Sequence, residues 1–155
     1  STFAAEQAEP VEYAKELALA KAKSVAQKHP DSIVIGADTI VDFHGRIIGK
    51  AADAKQAEQI TKELFSAPHK VITGVAIVRL SDNTVLLRSD STTVYPRKMT
   101  ARQIARHIKG GSWRDKAGAY AIKETGDEFV ERIEGSLTNV MGLPMELLRS
   151  LLAGL

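Results

Sequence analysis

Ile33-Val34-Ile35-Gly36-Ala37-Asp38-Thr39-Ile40-Val41 is the stretch on which the fold turns. Its opening run of apolar, β-branched residues reads as a buried strand. That strand leads through Gly36-Ala37-Asp38-Thr39 into Ile40-Val41. Asp42-Phe43-His44-Gly45-Arg46 reads as a turn and Ile47-Ile48 as the returning strand. Upstream, Pro10 to about His29 is expected to be a helix. Pro10 suits a first helical turn, Tyr13, Leu17, Ala20 and Ser24–Val25 roughly keep one face apolar, and Pro30-Asp31 ends it. Downstream, Asp53 caps a helix reaching to about Phe65, with Ala57, Ile60 and Leu64 on its inner face. Val71 to Leu80 and Thr84 to Tyr95 form a hairpin around Ser81-Asp82-Asn83. Thr100 caps a third helix that Gly110-Gly111 stops. Ala119 to Ile122 and Phe129 to Ile133 read as short strands, and Leu143 to Leu152 as a closing helix. Helices interspersed with strands and hairpins imply one α/β domain with a mixed sheet.

The chain has 155 residues, 44% hydrophobic and 26% charged. That balance belongs to a globular domain and argues against disorder or a fibrous architecture. Apolar runs are too short to span a membrane, and no leader peptide is visible. The sequence has no cysteine, which removes thiol chemistry and fits a reducing, cytoplasmic setting. The 21 Lys and Arg are scattered among 19 Asp and Glu. With no basic run, neither a nucleic acid nor a membrane is expected as a partner.

Four segments can carry chemistry. In Gly36-Ala37-Asp38-Thr39, a carboxylate at the end of a buried strand, beside a glycine that lets a ligand approach, is a common place for a metal or a general base. A turn or cap aspartate explains the same residues. Gly45-Arg46-Ile47-Ile48-Gly49-Lys50 resembles a P-loop only superficially. His44 and Ala51 stand where that motif needs Gly and Ser or Thr. What remains is Lys50, either a phosphate contact or a solvated surface lysine. The third segment, Gly110 to Tyr120, brackets Trp113, Arg114, Asp115 and Lys116 with glycines. It is either a binding loop or a helix-ending loop with Trp113 in the core. The fourth, Arg132 to Pro144, can bind phosphate at a helix N-terminus or can be turn chemistry alone. The histidines are spread among different elements and make no metal site. A carboxylate with lysines nearby suggests magnesium or manganese and a polyphosphate.

In this order, the segments resemble the Maf family of nucleotide pyrophosphatases. The matching pieces are Leu17-Ala18-Leu19-Ala20-Lys21-Ala22, Ile35 to Val41, Gly45 to Lys50, His69 to Val75, Asp115 to Tyr120, and Ile133 to Ser136 with Asn139 to Pro144. The resemblance implies an elongated α/β fold related to the inosine triphosphate pyrophosphatases, with a cleft between two lobes. It also implies metal-dependent hydrolysis of a nucleoside triphosphate to the monophosphate and pyrophosphate. By the same resemblance Asp38 is the proton acceptor and metal ligand, and Lys21, Lys50, Asp115 and Lys116 are cleft residues. Thr39 matches the subgroup acting on dTTP and UTP. The family's usual glutamine after Tyr-x-Ile, linked to base selection, is Lys123 here, which weakens that reading of the base.

Family members begin with a strand and a Ser- and Arg-rich phosphate-binding segment, and nothing before Ser1 supplies it. The expectation is one Maf-like domain over residues 1–155 that lacks this piece. A homodimer is compatible with the fold. The alternative function is a non-catalytic regulator of septum formation.

Overall fold

The computed structural model describes residues 9–114, 116, 118 and 129–155. Helix α1 covers Pro10–Ala26; the Glu9 side chain accepts from the Glu12 amide and Pro10 sits in the first turn. Strand β1, Val34–Phe43, runs unbroken through Gly36-Ala37-Asp38-Thr39. Asp38 therefore stands inside a strand and not at its end. His44 and Gly45 take φ of 52° and 89°, the left-handed pair that a two-residue hairpin requires. They return the chain into β2, Arg46–Ile48.

The buried face of α1 is an alanine stripe, Ala14, Ala18, Ala22 and Ala26. This corrects the face read from the sequence, since Ala20, Ser24 and Val25 are exposed. The reason is the closeness of helix and sheet. A Cβ on Gly36 would lie 2.5 Å from the Ala18 carbonyl oxygen, and one on Gly74 2.5 Å from the Ala14 carbonyl carbon. Small residues on both sides let backbone rest on backbone, and no longer side chain fits. Gly36 thus admits a helix, where the sequence suggested ligand approach.

Helix α2, Ala54–Leu64, is capped by Asp53 and leads into β3, His69–Arg79. A 3-10 turn joins β3 to β4, Thr84–Pro96. Helix α3, Ala101–Gly110, opens on a capping box between Thr100 and Gln103 and ends at Gly111 in the left-handed region. Strand β5, Val130–Glu134, helix α4, Leu137–Val140, and helix α5, Met145–Ala153, complete the described chain. The sequence reading did not anticipate α4, and the strand it placed at Ala119 to Ile122 lies outside the described residues.

The sheet order is β2-β1-β3-β4-β5. Every pairing among the described strands is antiparallel, where a mixed sheet was expected. Its α/β character comes from helices on both faces. Side chains alternate along β1, so Val34, Gly36 and Ile40 meet α1. On the other face Val41, Val71 and Val94 pack with Leu64 and Ile104 from α2 and α3, while Val75 and Ile77 pack on Leu148 of α5. No helix among the described residues is long and apolar enough to cross a membrane.

Candidate functional site

Asp38 lies on the α1 face of β1, opposite Gly74 in the β1–β3 register. Lys21 stands on α1 beside the alanine stripe, and its Nζ donates to Asp38 Oδ1. The close seating of the helix brings the two together. The Asp38 side chain keeps 17% of its surface exposed and that of Lys21 58%. The lysine side chain is thus open to water along much of its length, while the carboxylate that its head binds is largely covered.

The other Asp38 oxygen takes no hydrogen bond from the described residues. That donor set suits magnesium or manganese in one specific way. Such ions keep several waters and bind through one or two carboxylates together with substrate phosphates. No group of three or more His, Asp or Glu that could hold a metal is found among the described residues. Among the described residues, Asp38 would offer such an ion a single carboxylate.

A second meeting point is made by the backbone. The Gly118 amide donates to the Gly49 carbonyl at 3.2 Å, which sets the loop after α3 beside the end of β2. Lys50 and Lys116, each two residues or fewer from this junction, are both exposed. Trp113 in the same loop is buried against Ala57, and its indole N–H donates to the Ile108 carbonyl at 2.9 Å. For Trp113 the core reading is the correct one. Asp115 and Lys123 lie outside the described residues.

Thr39 points away from Asp38, as adjacent strand residues must. Its hydroxyl lies 2.8 Å from that of Thr73 and 3.3 Å from the Gly142 carbonyl. The structure thus joins Lys21 to Asp38 and brings the backbone beside Lys50 and Lys116 together, but it sends Thr39 to the opposite face.

The segment from Arg132 to Pro144 proves to be turn chemistry. Helix α4 has only four residues, and its capping hydroxyls are already engaged. Ser136 Oγ accepts from the Asn139 amide at 3.1 Å and donates to Glu146 at 2.6 Å, and Thr138 donates to the same carboxylate at 2.8 Å. Bonds from Ser136 first, and then from Glu146's own backbone amide and from Thr138, hold the Glu146 carboxyl below its ordinary range. Where a phosphate was considered, a carboxylate of the chain itself already sits.

Asn139 is fully buried. Its amide nitrogen donates to the Val71 carbonyl and to Thr92 Oγ1, both at 3.0 Å. Thr92 in turn donates to the Ser136 carbonyl at 3.0 Å and accepts from the Ser136 amide at 3.1 Å. These bonds fasten the 135–142 turn to β3 and β4. The sequence reading assigned Thr73, Thr92 and Asn139 no role of their own, although Thr73 and Asn139 stand in its matching pieces. The available signal was Thr73 itself, a lone hydroxyl inside the apolar run Val71-Ile72-Thr73-Gly74-Val75.

His69 is buried, with Nδ1 3.1 Å from the Leu64 carbonyl at the end of α2. Burial lowers its pKa, against the raising effect of its bonds to Ala67 and Leu64. It is a helix-ending core residue.

Over residues 1–155 the sequence matches the family described as Maf-like protein. It is similar to a dTTP/UTP pyrophosphatase of Elusimicrobium minutum, 42% identical over 143 residues, which are 92% of this chain and 77% of that protein. A dTTP/UTP pyrophosphatase of Dictyoglomus thermophilum is 40% identical over 147 residues, 95% of this chain and 76% of that protein. One of Shouchella clausii is 44% identical over 131 residues, 84% of this chain and 68% of that protein.

Proposed function

The chain belongs to the Maf-like family, and on that premise we propose that it hydrolyses a nucleoside triphosphate, dTTP or UTP, to the monophosphate and pyrophosphate. One water adds across the anhydride between the α- and β-phosphates, and its proton leaves with the reaction. The observation that carries this reading is the largely covered carboxylate of Asp38, one oxygen of which is held by Lys21.

Asp38 accepts the proton of the attacking water, anchors a divalent ion, or does both. Magnesium or manganese, when bound, offsets charge on the phosphate oxygens and acidifies water. Lys21 orients the Asp38 carboxylate through its hydrogen bond. Lys50 and Lys116, exposed near the Gly49–Gly118 junction, act as point charges on the departing pyrophosphate. Asp115 and Lys123 enter through the family resemblance alone, as substrate contacts. The pyrimidine preference is supported by the names of the similar proteins. Since Thr39 lies on the far face of β1 from Asp38, its part in that preference is indirect. The family match runs over residues 1–155, and the cysteine-free composition fits a reaction in a reducing cytoplasm.

The test is pyrophosphate release from a panel of nucleoside triphosphates with magnesium or manganese. Asp38→Asn is expected to lower the rate about 10²- to 10⁴-fold, the range of a lost general base. Equal rates for wild type and Asp38→Asn would remove Asp38 from the mechanism.

A further inference from the structure

Thr73 is fully buried in the central strand β3, directly opposite Thr39 and one residue from Gly74, the partner of Asp38. Its hydroxyl lies 2.8 Å from that of Thr39 and 3.3 Å from the Asn139 carbonyl. The Thr39 hydroxyl also reaches the Gly142 carbonyl at 3.3 Å. Two hydroxyls carry two protons, and the short contact between them uses one. The other proton can serve only one of the two carbonyls.

The rest of the turn decides which. The Asn139 carbonyl already accepts from the Gly142 amide at 3.0 Å. The arrangement that leaves neither carbonyl bare is Thr73 donating to Thr39, and Thr39 donating to Gly142. Oriented this way, the Thr39 proton is spent within the protein. Thr73 holds Thr39, and Thr39 holds the 139–142 turn. The chain of bonds crosses the sheet face immediately behind Asp38.

We infer that Thr73 is a positioning residue: its hydroxyl, acting through Thr39, pins β1 against the 139–142 turn and thereby fixes where the Asp38 carboxylate stands. This rests on the role proposed above for Asp38. From the α1 face the same part of the sheet is held by the close contacts at Gly36 of β1 and Gly74 of β3. Thr73 supplies a directional side-chain tie on the other face, in addition to the β1–β3 ladder.

Thr73→Val removes the hydroxyl and keeps the shape, while Thr73→Ser keeps the hydroxyl and removes a methyl. Two readouts are compared for wild type and both variants: native-state hydrogen exchange, and kcat and KM for dTTP with magnesium. In Thr73→Val the amides around Thr39 and of Gly142 are expected to exchange about five-fold faster than those at the Val78 end of β3, the effect of one lost buried hydrogen bond. The value of kcat is expected to fall about five-fold with KM unchanged, and Thr73→Ser is expected to restore both. Uniformly faster exchange, or a serine variant as impaired as the valine one, would show that Thr73 acts by packing and would overturn the inference. Local exchange that rises while kcat holds would also overturn it, by cutting the link to Asp38. A wild-type protein that releases no pyrophosphate from any triphosphate would refute the functional reading instead, and the exchange pattern would still decide whether Thr73 pins the strand.

Discussion

Replacing Gly74 by alanine tests the seam on which the candidate site depends. The added Cβ would meet the Ala14 carbonyl carbon at 2.5 Å and the Lys15 nitrogen at 2.7 Å, where ordinary contact begins at 3.4 Å. Both obstacles are helix backbone, so no side-chain rotation relieves them. Helix α1 must move off the sheet by about 1 Å, and close-packed interiors resist such a shift. Overpacking of this kind costs about 1–3 kcal/mol, and a backbone obstacle places Gly74→Ala near the upper end. For a domain of this size, about 3 kcal/mol lowers Tm by roughly 6–12 °C. The assay is thermal unfolding followed by circular dichroism, with Gly49→Ala as the control, since nothing lies within 4 Å of the Cβ it would add. Trimming the partner in Gly74→Ala/Ala14→Gly should not restore Tm, because the clash is with the Ala14 backbone. A fall of less than about 2 °C for Gly74→Ala, or full rescue by Ala14→Gly, would refute the backbone-on-backbone account of how Lys21 is brought to Asp38.

Two further outcomes follow from buried polar groups. Asn139→Ala removes the amide that donates to the Val71 carbonyl and to Thr92, leaves Thr92 only the Ser136 amide, and opens a small cavity. A cost of about 2–4 kcal/mol is expected, measured by urea unfolding, and a loss below about 0.5 kcal/mol would show that the turn does not depend on this side chain. His69 gives a pH dependence. Burial holds its folded-state pKa below the ordinary histidine value of 6.5, so the unfolded chain takes up the proton first as pH falls. Stability is therefore complete above about pH 6.5 and is lost as pH drops toward the folded-state value. In His69→Gln the fall in Tm between about pH 7 and pH 5 should be shallower than in wild type. Parallel curves would exclude His69 as its source.

By itself the sequence determined the order and type of nearly all the described elements, because these depend on local chemistry. Strand-forming runs on either side of Ser81-Asp82-Asn83 marked β3 and β4, Thr100 and Asp53 marked helix starts, and Asp42 to Arg46 marked a turn. It also singled out Asp38, Lys21, Lys50 and Lys116 through a family pattern. What it could not set was which side chains meet. The alanine stripe of α1 was hidden because alanine marks a helix face weakly. Its meaning comes from Gly36 and Gly74 on two other strands, which only folding places beneath it. Asp38 and Thr39 are neighbours in the chain, but the pleat sends them to opposite faces. The tie from Thr73 through Thr39 to Gly142 joins residues far apart in sequence, so no local pattern announces it. Tertiary structure alone decided that Gly36 receives a helix, that Glu146 fills the hydroxyls at α4, and that Thr39 braces the strand from behind the Asp38 carboxylate.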